Sequence, residues 1–487
     1  MTAPPSPATS FAPETGDPAG GVLVAWRARL DTWFHCGEVD RDPRLKIICG
    51  CLLLYFHMTF SAWREQAAAL STLGNELFNY APAPLLENFR WLVFMDHFQT
   101  QTWLYAQGML ALLGLFSLFY SRSSRGALGL LAWLFLNKLY FYLADFRLFS
   151  NFHHFHLLYT LMFLISADKL RFFRGALVVS YFLSGLVKLT PSWLFGEYFN
   201  ALPEKLPLLP KLDWLVTAAS ISVIVLEFFG PLCWFTRVRW LRRLSFGAFL
   251  GFHLYSGVIV GFWYTTLMLP LVAAAFLGFK EPLHAGYQFA RRHLATFGIF
   301  IIALCGGFYP LFIPGDVRLT GEGRYFGLFM FDANHAVRFQ VRIRKGDQMW
   351  VVQVHRRWRH EHAPQTLDSG IRAARYRDEL LVETFEVNGP IRDDGEIIFN
   401  PDYFTAARMR VSGDPYLYYF YARELVRRHQ PDRVSIRLDR RLDAHPEFVT
   451  LLNIPDFAAL NPAYRSFTRN EWIQLPGPES PSAYRWP

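Results

Sequence analysis

The chain reads as a polytopic α-helical membrane domain followed by a mostly β domain, and three observations carry that reading. Residues 45–313 form an almost unbroken series of apolar segments of membrane-spanning length. From Gly321 onward the pattern changes to short runs of alternating polarity, as half-buried strands require. The composition, 52% apolar and 17% aromatic over 487 residues, carries more apolar surface than a soluble core of that size needs. The excess implies lipid contact.

Residues 1–44 precede the first apolar segment as an N-terminal cytoplasmic tail. The first 20 hold seven Pro or Gly and no basic or long apolar run, so they read as a disordered tail and not a signal peptide. Nine candidate spans follow: 45–63, 101–120, 127–146, 153–168, 172–190, 213–235, 244–262, 265–279 and 297–313. Between the first two, the charged stretch 64–100 is expected to hold an interfacial helix around Leu85 to Met95. Residues 314–487 form the C-terminal domain. Its strands are expected at Val337–Ile343, Met349–His355, Leu380–Glu386 and Val434–Leu438. A helix from Pro415 to Arg428 is expected with Asp414 as its N-cap.

Lys and Arg alternate between the short loops. One side receives Arg122 and Arg125, then Lys169, Arg171 and Arg174, then Arg237, Arg239, Arg242 and Arg243, then Lys280, Arg291 and Arg292. The opposite loops are poorer, with Arg147 alone at one turn and Lys205 and Lys211 offset by Glu197 and Glu204 at another. Cytoplasmic loops hold such an excess, so the N-terminus is expected in the cytoplasm and the C-terminal domain outside it.

Composition excludes other classes. The net charge of +9 is spread over loops and the C-terminal domain and not gathered in one stripe, so no nucleic-acid partner is expected. All five cysteines (Cys36, Cys49, Cys51, Cys233 and Cys305) precede the C-terminal domain, which therefore has no internal disulfide. Neither the cysteines nor the histidines have zinc-site spacing, and no structural metal is expected.

The candidate site is read from ionisable groups inside the apolar segments, where they are costly. Lys188 stands in Ser184-Gly185-Leu186-Val187-Lys188-Leu189-Thr190-Pro191-Ser192-Trp193. Counted from Phe172 it lies roughly 24 Å along its helix, near the outer rim. Two readings stand for it. A lysine desolvated in an apolar pocket can act as a general base or form a Schiff base. A lysine at a helix end can also snorkel to the headgroups as an anchor, with Trp193 beside it in an aromatic belt. His153, His154 and His156 begin the preceding span, which runs inward from that same rim. His153 and His156 share a helical face, and one of the three is a candidate donor to an anionic oxygen. Lys138, Glu227 and His253 are further polar groups within spans that need partners, and Glu227 is expected to pair with another helix. In the C-terminal domain the basic run Arg356, Arg357, Arg359, His360 and His362 reads as a solvated face, and Gly321-Glu322-Gly323 as a turn.

At the Lys188 segment the chain resembles the vitamin K-dependent γ-glutamyl carboxylase family, with its HTTM-type membrane domain. The resemblance extends to Phe252-His253-Leu254, to Asn400-Pro401-Asp402-Tyr403-Phe404-Thr405, and to the closing stretch from Asn461 to Trp472. It implies a reaction in which a reduced naphthoquinone (vitamin K hydroquinone or menaquinol) is oxidised by O₂. The base so generated removes a γ-proton from glutamate, which takes up CO₂. It also implies that Lys188 deprotonates the quinol and that His154, with His153 or His156 as alternates, stabilises the anion. His153, His253 and Trp193 are placed near the cofactor. The partners implied are the lipid bilayer and an exported Glu-containing peptide or protein. The chain departs from the family at Val187-Lys188, where two lysines in tandem are usual, and after His253, where Tyr255-Ser256-Gly257 replaces Met-Asn-Ser. The alternative is a non-carboxylating membrane protein that matures or binds an exported peptide or toxin.

Overall fold

In the computed structural model, the residues described are 29, 31–87, 91, 93–121, 123–200, 206–207, 212–278, 293–294, 296–299, 302, 306, 309–323, 335–358, 370–405, 413–442 and 447–475. The longer helices of the N-terminal part are α1 (Pro43–Trp63), α2 (His97–Tyr120), α3 (Arg125–Ala144), α4 (Asn151–Ile165), α5 (Lys169–Val187), α6 (Asp213–Cys233), α7 (Arg239–Val260) and α8 (Phe262–Phe276). Among the described residues five of these, α1, α2, α3, α5 and α6, are long and apolar enough to cross a membrane, by length and composition. This is compatible with a multi-pass membrane protein.

The structure thus carries fewer full-length spans than the nine expected from sequence. Helices α4 and α8 have 15 residues each, roughly 22 Å against a hydrocarbon core of about 30 Å. Helix α7 is long enough at 22 residues but opens with Arg239, Arg242 and Arg243. In the segment 297–313, residues 300–301, 303–305 and 307–308 lie outside the described residues, as do Arg122, Lys205, Lys211, Lys280, Arg291, Arg292, Arg359, His360 and His362. Of the interfacial helix expected around Leu85 to Met95, the described residues show a 3₁₀ turn at Pro84–Leu86 and a non-helical stretch at 93–96, and residues 88–90 and 92 lie outside the described ones. A short helix at Thr72–Glu76 takes up part of that connection instead.

Local chemistry sets the helix starts. Asp42 accepts from the Arg44 backbone N–H at 2.9 Å, with Pro43 at the first position of α1. Asp96 and Gln99 form a capping box that opens α2. Helix α2 then divides into two faces. Thr100, Leu104, Gln107, Gly108, Ala111, Gly114 and Leu118 are buried at three- and four-residue spacing. Tyr105, Met109, Leu113, Phe116 and Tyr120 stay exposed, a stripe that hydrocarbon would cover. Gly114 lets α1 close in: a Cβ there would stand 3.1 Å from Leu53 Cδ2.

The C-terminal domain is built on an antiparallel sheet, as its alternating pattern requires. The strands are β1 (His335–Lys345), β2 (Gln348–Trp358), β3 (Gly370–Arg377), β4 (Leu380–Glu386), β5 (Ile391–Asp393), β6 (Glu396–Phe399), β7 (Arg433–Leu442) and β8 (Val449–Ile454). Among the described residues six of them form one sheet in the order β4-β3-β2-β1-β7-β8, and β5 pairs with β6. Val337, Phe339, Val341 and Ile343 point inward from β1, opposite Leu438 and Ile436 of β7. Helix α9 (Pro415–His429), capped by Asp414 as expected, is buried on almost every side. The reason is its position between two layers. Tyr418 meets Phe339 of the sheet at 4.5 Å between ring centroids, while Tyr416 meets Phe146 of the helical part at 5.1 Å.

The two parts are joined by buried polar contacts. Arg147 is 1% exposed; it bonds the Asp145 carboxylate at 2.7 Å, the Asn79 carbonyl oxygen at 2.9 Å and the Tyr403 carbonyl oxygen at 3.2 Å. It is therefore a structural clamp and not a loop charge. Around it, Asn400 Nδ2 donates to Leu77 O (2.6 Å), the Tyr416 hydroxyl donates to Pro82 O (3.0 Å) and Arg423 pairs with Glu87 (2.6 Å). The Gly321-Glu322-Gly323 turn forms as expected. Glu322 accepts from Arg469 and from the Asn470 backbone N–H, both at 2.6 Å, tying the closing stretch to the start of the domain.

Replacing Arg147 by Met leaves Asp145 buried without its partner, a defect worth about 3–5 kcal/mol. A thermal midpoint several degrees lower is expected in detergent, read by intrinsic fluorescence, and an unchanged midpoint would contradict the clamp. Ahead of α1, burial and then the hydrogen bond it donates to Asp31 push the Cys36 thiol up to about 12. A variant keeping Cys36 as its one cysteine is therefore expected to resist maleimide at mildly alkaline pH until it is unfolded.

Candidate functional site

Helix α5 stops where the sequence makes it stop. Lys188 takes the C-cap position, and Thr190 precedes Pro191, which cannot continue the hydrogen-bond ladder. Two four-residue helices, Pro191–Leu194 and Glu197–Asn200, carry the chain toward α6. Gly185, one turn before Lys188, allows α6 to approach closely. A Cβ at that position would lie 2.9 Å from the Phe228 ring and 3.3 Å from Glu227 Cβ.

This approach brings Lys188 Nζ onto Glu227 Oε2 in a buried ion pair. Lys188 is 4% and Glu227 2% exposed, so the ammonium is enclosed by protein and does not snorkel. Glu227 lies fourteen residues into α6, about 21 Å from its start. The expectation that Glu227 pairs with another helix is met. The ammonium also faces the Trp193 ring at 5.3 Å, and Trp193 stacks on Tyr198 at 4.2 Å.

His253 of α7 reaches the same helix as Lys188 through Tyr181, seven residues before it. Its Nε2 lies 2.5 Å from the Tyr181 hydroxyl of α5, and its ring is 5.8 Å from that of Tyr264. Its buried Nδ1 has no hydrogen-bond partner among the described residues. That nitrogen is left to donate or accept, depending on which way the Tyr181 bond runs.

The histidines of α4 take different positions. His156 is fully buried: its Nδ1 meets Lys138 Nζ at 2.9 Å and its Nε2 meets the Leu52 carbonyl at 3.0 Å. His153 packs on Trp63 at 5.0 Å, so these two share a face toward α1, as their spacing predicts. His154 is half-buried and turns to Phe155. Neither His154 nor His156 makes a hydrogen bond or ring contact with Lys188. Two basic centres result, one around Lys188 and one around Lys138. Tyr181 was not singled out from the sequence. Its signal is the seven-residue spacing to Lys188, which puts both on one helical face.

The Lys188 centre gathers polar and aromatic groups. It offers a titratable pair, an unsatisfied imidazole nitrogen and indole and phenol rings. Among the described residues no three His, Cys, Asp or Glu side chains are grouped to hold a metal ion. No family model, curated protein or solved structure matches the chain.

Removing one member of a buried ion pair strands the other, at a cost of about 3–5 kcal/mol, whereas removing both with apolar replacements costs little. Lys188→Met is therefore expected to lower the thermal midpoint more than Lys188→Met combined with Glu227→Leu. Additive losses would show that the two side chains are not paired.

Proposed function

We propose that the chain is a membrane-embedded enzyme of the quinol-dependent carboxylase type, with Lys188 and Glu227 as its proton-transfer pair. The observation that supports this reading is a buried Lys188–Glu227 pair at the end of α5, the helix that also holds His253 through Tyr181, with His253 Nδ1 left without a partner among the described residues. When bound, a reduced naphthoquinone oxidised by O₂ supplies the strong base that takes a γ-proton from glutamate before CO₂ adds. Lys188 has to be neutral to receive a hydroxyl proton. Glu227 provides for this, because moving one proton along the existing hydrogen bond converts the ion pair into an amine and a carboxylic acid. Nζ then accepts the hydroxyl proton, and the ammonium it becomes stands beside the oxygen it has deprotonated. His253 Nδ1 supplies a second polar contact, and Trp193 excludes water from one side.

In the same reading the N-terminus is cytoplasmic, the sheet domain is extracytoplasmic and an exported Glu-containing peptide is carboxylated there. The alternation of basic loops supports this orientation. A second reading has an observation in its favour. Lys188 is already neutralised by Glu227, as it would be in a protein that keeps the pair for structure and uses its sheet domain to bind an exported peptide.

The assay that separates them uses the purified protein in nanodiscs with a reduced naphthoquinone, O₂, labelled bicarbonate and a Glu-containing peptide. Quinone epoxide and fixed label are expected, both falling by about 10²–10⁴-fold in Lys188→Ala. Absence of epoxide from protein that demonstrably binds the quinone would overturn the carboxylase reading in favour of the second.

A further inference from the structure

The Lys138 centre is absorbed by neither reading. Lys138 of α3 is 0% exposed, and among the described residues no carboxylate contacts it. Its Nζ lies 3.2 Å from Thr59 Oγ1 and 2.9 Å from His156 Nδ1. The rings of Tyr55, Phe56 and Trp63 surround it at 5.1, 5.6 and 5.9 Å. The titratable groups that face it are Tyr55 from α1 and His156 from α4, with His153, one turn earlier on α4, packed on Trp63. Helix α2 reaches α3 on another side, through uncharged Trp103 and Gln107, which bond Asn137 and Trp133.

We propose that Lys138 and His156 form a proton-exchange site in the core of the helical bundle, holding one mobile proton between the amine and the imidazole. Leu52 O accepts from His156 Nε2–H, which leaves the Nδ1 lone pair aimed at Lys138. From there the hydrogen bonds close in three protonation forms. An ammonium donates to Nδ1 and to Thr59, with its third N–H toward the ring faces. If the proton moves across, an imidazolium donates through Nδ1 to the amine and through Nε2 to Leu52. If the proton leaves altogether, the neutral amine has two N–H groups for its two acceptors. No hydrogen bond is lost in any of them, so gain or loss of the proton requires no rearrangement. A structural buried cation is usually met by a carboxylate, as Arg147 is by Asp145. Here aromatic faces, a hydroxyl and an imidazole meet the charge in place of a carboxylate. The proton is delivered or taken up by a hydroxylic partner, either water or an acidic alcohol.

The test is solid-state NMR of the full chain in lipid with ¹⁵N-labelled lysine and histidine side chains, assigned by Lys138→Met and His156→Gln. One lysine Nζ signal and one histidine Nδ1 signal are expected to shift together as pH crosses the neutral range. In Lys138→Arg, whose guanidinium does not release a proton, the histidine shift is expected to vanish. A fixed ammonium with a fixed neutral imidazole across that range would overturn the proposal, as would a His156 shift that persists unchanged in Lys138→Arg. The arginine variant retains a buried cation and keeps the test usable if Lys138→Met does not fold. The readout is independent of activity, so a negative carboxylation assay leaves the proposal standing.

Discussion

Charge inside an apolar bundle has to be met by the protein itself, and the Lys188–Glu227 pair is where that constraint governs most of the surrounding structure. It requires Gly185, because any side chain there would hold α6 away from α5. It requires α5 to end at Val187, so that the C-capping lysine can turn toward α6. The same demand is met by other means elsewhere. Lys169 caps the end of α4 through the carbonyls of Phe163, Leu164 and Ser166. Arg147 is enclosed by Asp145, Asn79 and the Tyr403 backbone. In each case the polar group fixes how two or more elements meet, while the apolar stripes beside it would accept many registers.

Much of the architecture was legible because hydrophobic periodicity is a strong signal over long segments. The change to alternation after Gly321, the strands at Leu380–Glu386 and Val434–Leu438, and the Asp414-Pro415 start of α9 all follow from local chemistry that tertiary contacts did not override. The span count was less legible, since an apolar run reads alike whether its helix has fifteen residues, as α4 and α8 do, or over twenty. The role of Arg147 was hidden for a related reason. A single arginine at a turn resembles an exposed loop charge until the sheet domain folds over it.

The site was legible as a set of residues but not as groups. Glu227 and Lys138 stood out as costly charges in need of partners, yet partner choice depends on helix rotation and offset, which a single sequence does not encode locally. The structure pairs Lys188 with Glu227 and Lys138 with His156, whereas rim position alone had drawn Lys188 toward the α4 histidines. Helix α9 shows the same limit from the other side. Its aromatic run, Tyr416 and then Tyr418 to Tyr421, makes sense only once a sheet lies on one face and the helical part on another.

The account turns on Glu227 being an ionised partner of Lys188. Infrared spectroscopy of the protein in lipid, with ¹³C-labelled glutamate and with Glu227→Gln as the subtraction reference, reads that directly. Ionised carboxylate bands belonging to Glu227, altered by Lys188→Met, are the predicted result. A protonated carboxyl band indifferent to Lys188 would contradict it.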